Sequence, residues 1–263
     1  MGWQRYAAVG DSFTEGLDDP YPQGGMYRGW ADLVASRLAA QAEPEFGYAN
    51  LAVRGRLFGP VVTDQVPAAL ALKPDLVSFA AGGNDLLRRH CDPHALVARF
   101  DTVIGDIRAT GADVVVFRFV DVTARLPGQR VIGPRVAVVN RGVGEIAERH
   151  GARLVDLWAD DEFANPMLFA ADRLHLSAAG HRRVAAHVLT ALGAAPDQSW
   201  FTAPARPVPA PWLLARREDL RWAGQHLAPW VKRRLTGRSS GDNVLPKRPA
   251  LAPVSLLDSP MAD

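Results

Sequence analysis

The sequence predicts an α/β domain over residues 1–195, with a parallel sheet of five strands covered by helices on both faces. Two observations lead there. Short apolar runs alternate with amphipathic stretches along this part of the chain, and strict alternation of this kind requires right-handed crossovers between parallel strands. The reactive side chains then cluster just after the runs, and open α/β sheets carry their sites beyond the carboxyl ends of the strands.

The first run, Tyr6-Ala7-Ala8-Val9, leads into Gly10-Asp11-Ser12-Phe13-Thr14-Glu15-Gly16, so a buried strand delivers a serine to the rim of the sheet. A Gly/Pro-rich loop, 17–25, precedes a helix at 30–40 with Trp30, Leu33, Val34, Arg37 and Leu38 at helical spacing. Strand two is 46–51 and breaks at Arg54-Gly55-Arg56; a helix at 61–72 stops at Lys73-Pro74. Strand three, 75–80, ends in Gly82-Gly83-Asn84-Asp85. Asp92-Pro93 opens a long helix closed by Gly111. Strand four is 113–120, a helix runs over 135–150, and strand five is 152–157. The loop after it carries Asp172-Arg173-Leu174-His175. Ser177 then caps the last helix of the domain, whose stripe is Val184, Val188, Leu189 and Leu192.

Composition bounds the partners. The 263 residues are 48% hydrophobic and carry a formal charge of +2, which gives no case for nucleic acid. Cys91 has no partner for an internal disulfide, and no Cys/His cluster has zinc-site spacing. No apolar run approaches the roughly 20 residues of a membrane span. Met1 leads directly toward the first strand without the pattern of a secretory signal, so the expected compartment is cytoplasmic.

Four segments fall on one sheet edge: Ser12, Gly55, Asn84 and the Asp172/His175 pair. A serine hydroxyl becomes a nucleophile only when a base takes its proton, and His175 is placed for that. Asp172, three residues earlier, can accept from Nδ1 and fix the tautomer. Acyl transfer also needs donors for an oxyanion: the Ser12 and Gly55 backbone N–H groups and the Asn84 amide, each worth ~3 kcal/mol in such sites. Asp11 and Asp85 read as loop holders. Arg54, Arg56, Arg88 and Arg89 read as solvated loop cations, with an anionic substrate portion as the alternative. The other six histidines read as satisfied surface imidazoles, and Cys91 as inert.

These residues resemble the SGNH hydrolases, also called GDSL-type esterases and lipases. The matching blocks are Gly10-Asp11-Ser12-Phe13, Asn50-Leu51-Ala52-Val53-Arg54-Gly55, Gly82-Gly83-Asn84-Asp85 and Asp172-Arg173-Leu174-His175. The resemblance implies a flavodoxin-like three-layer α/β/α sandwich and hydrolysis of acyl esters or thioesters without metal or cofactor. It implies Ser12 as nucleophile, His175 as base, Asp172 as its partner, and Ser12, Gly55 and Asn84 as the oxyanion hole. Gly10-Asp11-Ser12 departs from the G-x-S-x-G elbow, which disfavours the larger α/β-hydrolase fold. The expected partner is a small acyl ester, such as a short-chain ester, an acetylated sugar or a lysolipid. A silent binding module and an acyltransferase are the competing readings. Loops 17–25, 121–133 and 160–171 are the expected specificity elements.

Beyond residue 195 the composition shifts. Pro196, Pro204, Pro207, Pro209 and Pro211 mark a linker over 196–211. Residues 212–237 read as a basic amphipathic helix divided at Pro229. Leu213, Leu220, Leu227 and Val231 form one side, Arg216, Arg217, Arg221, Lys232, Arg233 and Arg234 the flanks, with Trp212, Trp222 and Trp230 interspersed. Its stripe is expected to dock on the body, with peripheral contact to an anionic membrane or binding to a partner as alternatives. Residues 238–263 are expected to be a flexible tail.

Overall fold

The computed structural model describes residues 2–21, 24, 26–42, 46–120, 122, 125, 128–208, 211–229, 232, 236 and 239–254. In chain order the elements are β1 (Arg5–Gly10), α1 (Ser12–Glu15), α2 (Gly29–Ala39), β2 (Gly47–Asn50), α3 (Phe58–Pro60), a π turn (Val61–Gln65), α4 (Val66–Ala71), β3 (Leu76–Ala80) and α5 (Gly83–Leu86). There follow α6 (Pro93–Ala109), β4 (Asp113–Arg118), α7 (Gln129–His150), β5 (Arg153–Asp156), α8 (Ala178–Leu192), α9 (Trp212–Trp222) and β6 (Arg248–Pro253).

The sheet runs β5-β4-β3-β1-β2-β6. The first five strands pair parallel, and β6 lies antiparallel on β2. The expectation of five strands is therefore corrected to six among the described residues. The added strand comes from the segment expected to be a flexible tail. Its Pro249 and Pro253 disguised it, yet an edge strand tolerates prolines because one side needs no ladder donors. It also covers the β2 edge, which would otherwise present unpaired backbone groups.

Alternation along β1 feeds two cores. Tyr6 and Ala8 pack with Trp30, Leu33, Val184 and Leu189 of α2 and α8. Ala7 and Val9 face Phe58, Phe100, Ile104 and Val143 on the other side, under α3, α6 and α7. Helices on both faces give the three layers. Asp92 caps α6 through its side chain with Pro93 at the first turn, and Ser177 caps α8. Two helices differ from expectation. α7 begins at Gln129, with Pro134 inside its early turns. The helix expected at 61–72 is split by the π turn, which swings Gln65 into the interior.

The extension differs more. α9 has no buried residue, and Leu213 and Leu220 are 65% and 75% exposed, so the expected apolar stripe is not against the body. Contact runs instead through Asp219 and Trp222, which meet Arg173. Pro209, Trp230, Val231, Arg233, Arg234 and the segment 255–263 lie outside the described residues. Among the described residues no helix is long and apolar enough to cross a membrane.

Candidate active site

β1 and β3 adjoin where the strand order reverses, and the crevice at that switch point receives Ser12 from one strand and Asn84 from the other. The turn that presents Ser12 is held tightly. Gly10 donates to Gln65 Oε1 at 2.8 Å and accepts from Gln65 Nε2 at 2.9 Å, so a buried amide clamps both sides of the strand end. A β-carbon at Gly10 would overlap the Ala80 carbonyl, so only glycine fits there. After the serine, the Phe13 ring inserts beside Trp30 and Phe117, with centroids 5.4 Å from each. Ser12 thus sits between a clamped glycine and a partly buried aromatic anchor.

His175 arrives on a closed turn. Phe169 and Leu176 bridge, Ala170 N donates to His175 O at 2.8 Å, and Arg173 takes a left-handed φ of 63° at the tip. Asp172 Oδ1 accepts from the Leu174 and His175 N–H groups, both at 3.0 Å, which leaves Oδ2 to meet His175 Nδ1 in a close hydrogen bond. The other ring nitrogen, Nε2, lies 3.0 Å from Ser12 Oγ. Residues 163 apart in sequence therefore form one chain of contacts: hydroxyl, imidazole, carboxylate. Sequence reasoning missed Asp18, whose Oδ2 lies 3.7 Å from His175 Nδ1. Its φ of 67° is the unusual backbone that turns it there.

Burial draws the His175 pKa down, but the hydrogen bond and charge of Asp172, backed by Asp18 and Asp11, outweigh it and hold it above the ordinary imidazole value. Burial pushes Asp172 up, yet the His175 contacts and backbone N–H donors bring it to about 2, so it stays ionised. A base must be neutral to accept a proton, and lowering the pH protonates it. kcat/KM is therefore expected to fall on acidification with a midpoint above the ~6.5 of a free imidazole. A profile flat from pH 5 to 9, or a midpoint below that of free imidazole, would contradict this.

The expected oxyanion donors are less uniformly available. Asn84 Nδ2 carries two hydrogens, and both are engaged, with Asp11 Oδ2 and Arg56 O each at 3.0 Å. Asn84 can serve an oxyanion only by exchanging one of these. Asp11 also accepts from Phe13 N, and Asp85 from Phe58 N, so both aspartates hold loops, as expected. Burial, first among its causes, raises Asp11 to about 6. Gly55 adopts φ 72° and packs against Ser239 and Ser240 of the extension, which leave no room for a side chain.

Two readings of single residues are corrected. Arg54 is not a solvated cation: it forms a close bidentate pair with buried Glu15 and lies over the Tyr27 ring at 5.0 Å. His181 is not at the surface but 1% exposed. Its Nδ1 accepts from Trp30 N and its Nε2 faces Leu17 O at 3.1 Å, and burial lowers its pKa to about 4. It is a neutral strut between α2, α8 and the loop after Ser12. Sequence spacing carried no signal for it, because a buried and an exposed helical histidine read alike. Cys91 is half-buried, and burial raises its pKa.

A cavity of about 150 Å³ opens beside Ser12 and His175. Its lining is mainly apolar and includes Leu87, Phe119, Val122, Ile132, Val136 and Leu157. Strand-end serine, imidazole and carboxylate around an apolar cavity form the geometric class of the Ser-His-Asp constellations used for acyl transfer. The model of the GDSL-like lipase/acylhydrolase family matches residues 8–183, and the chain belongs to that family of carboxylic ester hydrolases. Comparison with curated proteins finds no match.

Solved structures share the fold. A lipase/acylhydrolase from Enterococcus faecalis is 22% identical with a TM-score of 0.58, over 74% of this chain and 99% of that one. An acetyl xylan esterase from Geobacillus stearothermophilus is 22% identical with a TM-score of 0.59, over 74% and 97%. An α/β hydrolase enzyme from the metagenome of Lake Arreo, Spain, is 23% identical with a TM-score of 0.59, over 74% and 97%.

Proposed function

We propose that the chain is a serine esterase for small esters with an apolar acyl chain, working through an acyl-serine intermediate. The observation that carries this is the 3.0 Å contact between Ser12 Oγ and His175 Nε2 at the mouth of the apolar cavity. Ser12 Oγ attacks the ester carbonyl carbon while His175 Nε2 takes its proton. The tetrahedral oxyanion draws on the N–H groups of Ser12 and Gly55, and on Asn84 after it exchanges one protein acceptor. Collapse breaks the carbon–oxygen bond to the alcohol, and His175 returns the proton to the departing alkoxide. A water deprotonated by His175 then attacks the acyl carbon, the bond to Ser12 Oγ breaks, and His175 returns the proton to Oγ as the acid leaves. Asp172 holds the tautomer and stabilises the transient imidazolium.

The wall selects the acyl part. Each methylene buried there contributes about 0.8 kcal/mol, close to a factor of four in kcat/KM. Across p-nitrophenyl acetate, butyrate, hexanoate and octanoate, kcat/KM is expected to rise until the cavity is filled. Ile132→Trp should then lower octanoate hydrolysis roughly tenfold and leave acetate within about twofold. Acetate as the best substrate of the unsubstituted chain would contradict the assignment of the wall.

A further inference from the structure

The stretch matched by the family model ends at residue 183, yet the extension reaches back to both loops that carry the site. Arg173 sits between Asp172 and His175, in a left-handed conformation that a long side chain rarely adopts. Its Nη1 donates to Asp219 Oδ1 of α9 at 2.8 Å, and its guanidinium stacks over the Trp222 ring at 4.9 Å. On the opposite side of the site, Ser239 Oγ donates to Gly55 O at 3.2 Å. Gly241 lies so close to the Arg54 carbonyl that a β-carbon there would overlap it. That carbonyl belongs to the same peptide as the Gly55 N–H. Both peptides flanking Gly55 are therefore backed by the turn at 239–241.

The extension is itself firmly seated beyond the Ser239 contact. Lys247 Nζ is buried and bonds Asp32 Oδ1 at 2.8 Å, Arg28 O at 2.6 Å and Tyr27 O at 2.9 Å. β6 closes the sheet edge six residues or fewer further on. The turn at 239–241 is thus tied to the body by its own downstream chain.

We propose that the C-terminal extension braces two loops of the active site from outside, with Asp219 and Ser239 as positioning residues for the His175 turn and the Gly55 peptide. Magnitudes separate this from a role in general stability. The Arg173–Asp219 pair is between a third and a half exposed, and such pairs add little to folding. Its geometric effect is larger, because it restrains the tip residue of the turn that aims the imidazole. A misplacement of about 1 Å at a catalytic group can cost up to ~100-fold in rate.

The proposal rests on the esterase reading, and its test is arranged to keep the two apart. In the full chain, Asp219→Ala should lower kcat roughly tenfold while KM stays within about twofold, with the melting temperature unchanged; Asp219→Glu should recover most of the loss. Ser239→Ala should lower kcat about fivefold with the same split. Wild-type kcat in both variants, or a loss of activity that merely follows a loss of folded protein, would overturn the proposal. An unsubstituted chain that hydrolyses no ester would overturn the esterase reading instead.

Discussion

Ser12→Ala is expected to lower kcat for p-nitrophenyl butyrate by about 10⁵-fold or more, with the fold unchanged. The size follows from the lack of a replacement. The Ser12 hydroxyl contacts His175 Nε2 at 3.0 Å, and removing it takes away the oxygen from which that nitrogen accepts a proton. In triad enzymes, loss of the nucleophile costs about as much as loss of the whole triad. Stability should scarcely move. The turn is held by Gln65 on Gly10, by Asp11 on Phe13 N and by the Phe13 ring, none of which uses the hydroxyl. Melting curves beside the kinetics check both halves. Turnover within tenfold of the unsubstituted chain would remove Ser12 from the mechanism.

Asp172→Asn should cost roughly 10³–10⁴-fold in kcat, for a different reason. The amide oxygen can still accept from the Leu174 and His175 N–H groups, so the turn survives. Its NH2 then faces His175 Nδ1 and donates to it, which moves the ring hydrogen to Nε2. That tautomer cannot take the Ser12 proton. Asp18 Oδ2, at 3.7 Å from Nδ1, is beyond hydrogen-bond distance and does not substitute. Loss of the Asp172 charge should also shift the acid limb of the pH profile to lower pH, because that charge raises the His175 pKa. A loss of less than tenfold would show that Asp18 takes over as the partner.

How far the sequence disclosed this depends on the range of the forces involved. Local signals were readable. Asp92-Pro93 and Ser177 mark helix starts because capping is decided within a turn. The Asp-x-x-His spacing was readable because both ends belong to one closed turn. Contacts that depend on distant chain were hidden. Gln65 gave no sign that it would clamp Gly10, since a π turn had first to rotate it inward. β6 was hidden by its prolines, and its reason for existing is the exposed edge of β2, a partner about 200 residues away. The stripe on α9 reads as a buried face because amphipathic spacing does not say which side meets the body. Polar Asp219 and aromatic Trp222 meet it at Arg173.

The most direct test is to quench turnover of p-nitrophenyl octanoate with acid and measure the mass of the intact protein and its peptides. A single octanoyl group on the peptide containing Ser12, absent from Ser12→Ala, is the predicted result. Steady hydrolysis with no acylated protein, or with the acyl group on another residue, would contradict it.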